Sequence, residues 1–367
     1  MNNLFKLMPG IAAVTLLAWL SILLSRFIGI ELLGFEKSPI APILIAILLG
    51  ILITSIMPTF EFLTPGIRFS VGKILRLGII LLGIRLTVFD VLRLGAYGVP
   101  IVMICIASAL LITTLINKKL NLPSRIGTLI AVGTSICGVT AIVATSPAIE
   151  AEEEETAYAV AVITIFGLIA TLVYPYLANF VFAGDAVKIG LFLGTSIHDT
   201  SQVVGAAKVF ADTFARPLAL NVATVTKLVR NISMAFIIPF LTYAYRKTKQ
   251  TTDRPSRSVS IGKLLPLFIL GFLLMALVRS VGDARIGVHG KAFGLLELDT
   301  WKSTIAFIQT WGDNFLVVAL AGVGLSTNLR RFRGMGVRPF FVGLGAALSV
   351  GVVSYFAIYF LGNFITY

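Results

Sequence analysis

Apolar runs of about 18 residues or more recur from one end of the chain to the other, and they limit its fold more than any other feature. Runs of this length are too long for ordinary core helices, and a transmembrane β-barrel would show short alternating segments instead. We count eleven, at residues 9–30, 39–57, 70–89, 96–116, 126–148, 157–181, 187–210, 217–245, 261–280, 301–325 and 338–365. The pattern predicts an all-α polytopic membrane protein of about eleven transmembrane helices, forming one integral membrane domain over residues 1–367.

Basic residues concentrate in alternate loops when all eleven runs are taken as crossings. One side receives Lys118, Arg125 and Lys188, together with the basic loops at residues 246–263 and 330–338, and the other carries the acidic run at residues 150–155. This positive-inside pattern predicts a cytoplasmic N-terminus and an external C-terminus. Only 13% of the residues are charged, and no soluble domain is predicted that could hold a basic patch. The net charge of +13 therefore indicates a lipid bilayer as partner, and no nucleic acid.

Two segments of the chain repeat each other at a constant offset of 239 residues. They read "GIRLTVFDVLRLGAYGVP" from Gly83 and "GVGLSTNLRRFRGMGVRP" from Gly322. Because the third and tenth runs would cross in opposite directions, this similarity predicts an inverted repeat, as in many secondary transporters. Coincidence between glycine-rich membrane sequences is the alternative. The matching pairs are Gly83 and Gly322, Leu86 and Leu325, Thr87 and Ser326, Gly95 and Gly334, and Pro100 and Pro339.

A second repeat is the tetrapeptide GTSI, which begins at Gly133 and again at Gly194. Both copies lie in apolar runs that also hold further glycines and polar residues, which predicts broken helices near residues 126–148 and 187–210. The two runs are two crossings apart, so the copies would be parallel, which conflicts with a simple inverted duplication. A permuted repeat or a re-entrant segment would reconcile the two observations, and the sequence leaves both open.

A break inside a bilayer is tolerated only where the unwound backbone faces protein or a wet cavity. The free N–H groups of a new half-helix favour an anion, and hydroxyl side chains add further donors. The alternative is that glycine and hydroxyl residues merely allow close helix packing. On the first interpretation the two segments supply the substrate-binding residues Gly133, Thr134, Ser135, Gly194, Thr195 and Ser196.

Ionisable residues accompany the second copy and the eighth run. Charged groups at this depth are costly and are usually kept for function. We predict that His198, Gln202, Lys227 and Arg230 bind substrate, and that His198 and Asp199 couple transport to protons. The alternatives are a hydrogen-bonded core histidine, a structural ion pair between Asp199 and Lys227, and basic side chains that extend to the membrane interface.

The sequence shows no pattern typical of an enzyme. It has no phosphate-binding Walker loop, so ATP-driven transport by this chain is not expected. His198 and His289 are its only histidines, which argues against a multi-histidine metal centre. We expect no enzymatic activity, no cofactor and no metal site.

Four ordered motifs resemble the YeiH (UPF0324-type) family of bacterial inner-membrane proteins, which are described as sulfate exporters. They are "GTSICGVTAIVATSP", "ETAYAVAVITIFGLIATLVYP", "GTSIHDTSQVVGAA" and "ATVTKLVRN", and the resemblance runs from about Leu75 to Leu361. It implies a bacterial inner-membrane location and a relation to the cation/proton antiporter and anion transporter group. It also implies a fold with two broken helices that cross at its centre.

Together these observations predict a secondary active transporter that exports a small anion, such as sulfate or an organosulfonate, and is coupled to protons. Three alternatives stay open: a Na⁺/H⁺ antiporter centred on Asp199, a membrane sensor or scaffold that binds an anion without moving it, and a channel. The antiporter alternative predicts that Asp199→Asn abolishes sodium-dependent proton flux, which the anion hypothesis does not require. A homodimer is also left open.

Overall fold

The computed structural model describes residues 2–34, 38, 40–57, 61–249, 267–327 and 337–362. Helices make up most of these residues, and short π and 3₁₀ turns extend several of them. One two-stranded antiparallel hairpin joins β1, Lys291–Ala292, to β2, Leu296–Glu297. The helices are α1 Asn2–Arg26, α2 Pro42–Ile56, α3 Thr64–Phe69, α4 Leu75–Leu82, α5 Val88–Lys119, α6 Ser124–Ser135, α7 Val139–Thr145, α8 Glu153–Val181, α9 Ala186–Ser196, α10 Thr200–Thr213, α11 Leu218–Ile232, α12 Met234–Lys249, α13 Phe268–His289, α14 Leu298–Ser326 and α15 Val337–Leu361.

Several of these helices have the length and composition of membrane spans. Within the described residues six segments qualify: Phe5–Leu32, Val88–Lys119, Glu153–Val181, Leu218–Leu241, Leu298–Ser326 and Arg338–Leu361. Large apolar side chains such as Trp19, Leu111 and Phe180 lie exposed on these helices. Extensive exposed apolar surface is unfavourable in water and suits a lipid environment. The prediction of an all-α, multi-pass membrane protein is confirmed.

The chain forms two compact units, each assembled from three separate stretches. Unit 1 comprises Met1–Arg93, Lys208–Pro217 and Leu267–Arg333, and unit 2 comprises Leu94–Ala207, Leu218–Pro266 and Gly334–Tyr367. The division falls inside α10, between Ala207 and Lys208.

Unit 1 is built around α14, which runs antiparallel to the helical stretch α3–α4. Gly78 on α4 lies against Leu316, and Gly322 near the other end of α14 lies against Val71. The absence of a side chain at these two glycines lets the helices approach closely.

In unit 2 the first broken segment, α6–α7, turns back on itself. Arg125 Nη1 at the start of α6 is 3.7 Å from Glu152 Oε1, just before α8 begins. Further along, Gly133 on α6 lies against Ile163 on α8. Helices α6 and α8 therefore run parallel from the same end of unit 2. Because α7 connects the end of α6 to the start of α8, α6–α7 must be a re-entrant hairpin.

The second broken segment, α9–α10, also turns back. Gly190 on α9 lies against Val222 on α11, and Gly194 lies against Thr226, so α9 and α11 run parallel. The four residues 214–217 that join α10 to α11 span at most about 14 Å. Helix α10, at about 21 Å, must therefore return toward the end at which α9 begins.

The two hairpins enter unit 2 from opposite ends, as their packing on α15 shows. Helix α15 runs parallel to α8, because Gly343 lies against Val162 and Gly351 lies against Tyr174. It runs antiparallel to α9, because Ser354 Oγ is 2.6 Å from Thr195 Oγ1 and Gly362 lies against Lys188. Helices α6 and α9, which carry the two GTSI copies, are consequently antiparallel.

These observations correct several expectations from the sequence. The broken segments at residues 126–148 and 187–210 do not cross as continuous broken helices, and the GTSI copies are not parallel. The acidic run near Glu152 lies at the same end of unit 2 as Arg125, and Lys188 lies at the opposite end. The count of eleven crossings is therefore not confirmed. Residues 250–266 and 328–336, which hold most of the two longest basic loops and Gly334 of the first repeat, lie outside the described residues.

The hairpin topology predicts which loops share a side of the membrane. We expect single cysteines at Lys119→Cys and Glu154→Cys to react with a membrane-impermeant maleimide from one side, and Lys188→Cys to react only from the other. The native Cys105 and Cys137 are buried and would be replaced in all three variants. Reaction of Glu154→Cys and Lys119→Cys from opposite sides would restore a full crossing for residues 126–148.

Candidate functional site

Two basic residues are fully buried on α11. Lys227 is 0% exposed and Arg230 is 1% exposed, and both lie in a membrane-spanning segment of unit 2. Among the described residues, no ion pair includes either of them. Two positive charges are thus held deep in an apolar unit, and no carboxylate of the described chain lies at ion-pair distance from them.

The guanidinium of Arg230 holds the ends of both hairpin helices. It donates to backbone carbonyl oxygens of the first hairpin through Nε and Nη2, and to those of the second through Nη1. The partners are Ser135 O at 2.7 Å, Thr134 O, Thr195 O at 2.8 Å and Ile197 O at 2.9 Å. Only a planar group with several fixed donors can reach four acceptors in this way.

The ammonium of Lys227 bridges the same two hairpin tips. It donates to Ile136 O at 3.0 Å, to Ile197 O at 3.2 Å and to His198 O. The last carbonyls of a helix have no partner within the helix and carry the negative end of its dipole. Cations are therefore stabilised where α6 and α9 end.

This arrangement reverses one expectation from the sequence. The GTS residues were predicted at the N-terminus of a half-helix, where N–H groups would meet an anion. They instead form the C-terminal ends of α6 and α9 and present carbonyl oxygens to the two cations. The structure brings Thr134, Ser135, Thr195, Lys227 and Arg230 together where the two hairpins meet, through backbone carbonyl oxygens.

Three of the four predicted hydroxyl donors are already used within their own helices. Ser135 Oγ donates to Val132 O at 3.2 Å, and Ser196 Oγ donates to Phe192 O at 2.5 Å. Thr195 Oγ1 donates to Leu191 O at 2.7 Å. Thr134 differs from these three, because its buried Oγ1 has no hydrogen-bond partner.

Asp199 and Gln202 form the N-terminal capping box of α10. Asp199 Oδ1 accepts from the backbone N–H of Ser201 at 2.9 Å and from Ser201 Oγ at 2.6 Å. Gln202 Oε1 in turn accepts from the backbone N–H of Asp199 at 3.2 Å. Such reciprocal bonds satisfy helix N–H groups that otherwise lack partners. The ion pair between Asp199 and Lys227 that we considered is not among the ion pairs of the described residues.

Gln202 also ties this cap to α8. Its Nε2 donates to Thr164 O at 3.3 Å, and Gly167 leaves the space that its side chain fills. The two glycines of the GTSI copies have a similar packing role, since Gly133 contacts Ile142 and Gly194 contacts Thr226. For these two glycines the structure supports the alternative of close helix packing.

Several buried polar atoms near the tips have no partner. They are Thr134 Oγ1, His198 Nδ1, Thr226 Oγ1 and Asn231 Oδ1, on the two tips and on α11 beside the cations. Buried polar groups in native proteins are normally hydrogen-bonded, by protein, water or ligand. This set can therefore accept water or a polar ligand. Thr226 was not predicted from the sequence, although it adjoins Lys227.

The fold and this centre define a multi-pass helical membrane protein whose two re-entrant hairpins meet at a pair of buried cations. Comparison with known proteins agrees with that class. The chain matches the family model described as "Conserved hypothetical protein 698" over residues 9–343. It is 32% identical to a UPF0324 membrane protein of Streptococcus agalactiae serotype V over 88% of this chain and 91% of the relative. It is 31% identical to a UPF0324 membrane protein of Clostridium tetani over 98% of each.

The chain belongs to this UPF0324 family of membrane proteins, and the resemblance found in its four motifs is confirmed. No solved structure matches the chain.

Proposed function

We propose that this protein is a secondary active transporter that exports a small anion, such as sulfate or an organosulfonate, across the bacterial inner membrane in exchange for protons. The observation that carries the proposal is the buried pair Lys227 and Arg230, which has no carboxylate at ion-pair distance among the described residues. Charges at this depth are costly and are kept for function. A positive centre in an apolar unit favours an anionic ligand. The sulfate and the direction come from the family resemblance.

The re-entrant hairpins supply a means of alternating access. Non-helical backbone at membrane depth persists only where it is buried in protein or lines a wet cavity. The breaks at Ile136–Gly138 and Ile197–Asp199 both meet Lys227, and the hairpins enter from opposite ends of unit 2. Release of one tip from the two cations would open the centre toward one side of the membrane. Release of the other tip would open it toward the opposite side.

An inverted repeat accounts for both sequence repeats. The GTSI copies end two antiparallel helices, α6 and α9. The other repeat places Gly83 just after α4 and Gly322 on the antiparallel α14. If two of the eleven apolar runs are re-entrant hairpins, nine runs cross the membrane. Nine is an odd number, so the N-terminus remains cytoplasmic and the C-terminus external, as predicted from the basic loops.

A Na⁺/H⁺ antiporter receives less support from this geometry. The carbonyl oxygens at the hairpin tips, which would suit Na⁺, are occupied by Lys227 and Arg230. Asp199, the carboxylate on which that alternative depends, caps α10. A sensor or a channel differs from a carrier in transport behaviour, so a flux experiment decides between them.

The test is sulfate counterflow in proteoliposomes, with unlabelled sulfate inside and tracer outside. We expect a tracer overshoot for the wild type. Thr134→Val removes the unpartnered hydroxyl at nearly constant volume. We expect it to raise the half-saturating sulfate concentration about tenfold or more, as for loss of one hydrogen bond to a charged ligand. Thr145→Val is the matched control, because Thr145 Oγ1 is equally buried and unpartnered but lies at the far end of α7.

The outcomes separate the alternatives. Saturable sulfate binding without flux would indicate a sensor, and flux that never exceeds the external tracer level would indicate a channel. Wild-type vesicles that are sealed and loaded yet show neither binding nor overshoot, for sulfate and for sulfonates, would contradict the anion proposal. Equal effects of Thr134→Val and Thr145→Val would remove Thr134 from the site.

A further inference from the structure

A second group of charges, partly buried, lies within unit 1. Arg85 Nη2 is 2.8 Å from Asp313 Oδ1, and Lys208 Nζ is 3.6 Å from Asp313 Oδ2. Lys208 Nζ is also 2.5 Å from Asp212 Oδ1. Two cations and two carboxylates thus form one connected network, which we call the Asp313 network. It joins α14, the end of the α3–α4 stretch and the end of α10.

The position of Asp313 marks it as more than a surface charge. It lies midway along α14, a 29-residue helix with the composition of a membrane span. An ionisable residue inside a span is a functional candidate by default, with its partners named. Its side chain is 29% exposed, whereas that of Lys208 is 10% exposed. The side chain of Asp313 is therefore partly exposed, while its partner is largely buried.

The two carboxylates of the network are not equivalent. Asp212 is paired with Lys208 on the same helix, one turn away, so that pair moves as one body. Asp313 has both of its partners on other segments, one for each of its oxygens. Arg85 Nε is also buried without an acceptor, so this side of the network has unused donor capacity. Any displacement of α10 along α14 changes the pairing of Asp313 first.

The other charged groups on the helices that pack against α14 are accounted for. Asp283 on α13 is held by Arg279 at 2.5 Å and by Trp301 Nε1 at 2.8 Å. The remaining basic residues on α1, α3, α4, α13 and the turn between α3 and α4 are exposed: Lys6, Arg26, Arg68, Lys73, Arg76 and Arg285. Among the described residues, Asp313 is the carboxylate within a span that forms ion pairs with basic residues on two other segments.

We propose that the Asp313 network is a proton-exchange site, in which the carboxylate of Asp313 binds and releases the proton that drives transport. A proton from water adds to one Asp313 oxygen, and the carboxylate loses its negative charge. The pairing with Lys208 breaks, Lys208 keeps Asp212, and Arg85 keeps a neutral acceptor. This inference rests on the proposed function, and it moves the coupling role from His198 and Asp199 to unit 1.

The connection to the substrate centre is covalent. Helix α10 carries Lys208 and Asp212 near one end, and the capping box of Asp199 and Gln202 lies at the other end. A single 14-residue helix thus joins the proton-exchange site to the second hairpin tip. A change in the pairing of Lys208 would act on that tip through the helix axis.

The experiment measures two quantities in the same proteoliposomes: sulfate counterflow at equal pH and the stimulation of sulfate flux by an imposed pH gradient. For Asp313→Asn we expect counterflow within about threefold of wild type and no remaining stimulation by the gradient, since exchange needs substrate binding and only net flux needs the proton. Asp283→Asn is the matched control, because it removes an ion-paired carboxylate from the same unit. We expect it to keep the stimulation.

A charge-balanced variant and a second measurement distinguish the loss of the Asp313 carboxylate from misfolding of the protein. Arg85→Gln combined with Asp313→Asn removes one charge of each sign, and we expect the same result as for Asp313→Asn alone. Acidification of purified protein should produce infrared absorption from several protonated carboxyl groups, because the chain holds 17 acidic residues. The contribution of Asp313 should be present in wild type and in Asp283→Asn and missing from the difference spectrum of Asp313→Asn. This measurement requires no transport, so it stays decisive even if sulfate counterflow fails and the proposed function falls.

The opposite results would overturn the inference. Retained stimulation by the pH gradient in folded Asp313→Asn would exclude Asp313 as the coupling carboxylate. Loss of counterflow in both Asp313→Asn and the charge-balanced variant, with unchanged thermal unfolding, would show that the network is needed for substrate exchange itself and not for proton coupling alone. Infrared carboxyl absorption that is the same in wild type and Asp313→Asn would show that Asp313 does not take up the proton.

Discussion

Replacement of Arg230 by glutamine is expected to abolish sulfate counterflow and to lower the thermal stability of the protein markedly. Four carbonyl oxygens on two hairpins accept hydrogen bonds from this one guanidinium. A hydrogen bond to a charged group contributes about 1.5–3 kcal/mol, and buried acceptors left without donors add a further penalty. A glutamine amide cannot reach both hairpins, so we expect a loss of roughly 3 kcal/mol or more. Transport should fall about 100-fold or more.

Two further variants isolate the role of the fork-shaped side chain. Arg230→Lys keeps the positive charge but offers one compact ammonium in place of a planar set of donors. We expect it to retain part of the stability and little transport, because one hairpin tip loses its hydrogen bonds to the side chain at position 230. Arg216→Gln is the matched control, since Arg216 is exposed in the loop after α10. Thermal unfolding in detergent and tracer counterflow measure both properties.

The result would contradict the structure in one clear way. If Arg230→Gln unfolds within a degree or so of wild type and transports normally, then the guanidinium does not hold the hairpin tips. A loss of transport with unchanged stability would point instead to a direct contact between Arg230 and the substrate.

The class of protein and the buried cations are accessible from sequence because they depend on local pattern. Apolar runs that are long enough to cross a bilayer indicate a membrane protein from the sequence alone. Lys227 and Arg230 stand out because each lies in the middle of such a run. The same rule also applies to Asp313, an isolated carboxylate among the apolar residues of the tenth run, although the predicted site did not include it.

The re-entrant hairpins are not accessible from sequence in the same way. A run such as 126–148 is long enough to cross a bilayer once, or to enter halfway and return, and its composition is the same in either case. The distinction rests on contacts between distant residues, such as Arg125 with Glu152 and Gly133 with Ile163. The same contacts decide which end of a helix each GTSI copy occupies. The copies lie at C-terminal ends and present carbonyl oxygens, whereas the sequence predicted N-terminal ends that present N–H groups.

Replacement of Gly138 by alanine is expected to disrupt the first hairpin tip and to reduce counterflow about tenfold or more. Gly138 has φ 69° and ψ −126°, a backbone conformation that residues with a side chain rarely adopt. Strain of this kind costs about 1–3 kcal/mol. An added methyl group would also lie 3.2 Å from Cα, Cβ and Oδ2 of Asp199. The tip would have to move, and Ile136 O, two residues away, would lose its bond to Lys227.

Gly98→Ala provides the matched control on α5. Gly98 is helical, and an added methyl group there would lie at an ordinary 3.7 Å from Thr226 Oγ1. Alanine is favoured over glycine inside a helix by roughly 0.5–1 kcal/mol, so we expect unchanged transport and equal or higher stability. Comparison of thermal unfolding and counterflow for the two variants separates backbone strain at the break from the general effect of adding a methyl group beside α11. If Gly138→Ala behaves like Gly98→Ala in both measurements, the positive φ of Gly138 is not needed to hold the Ile136 carbonyl oxygen against Lys227. The hairpin tip must then have another backbone conformation.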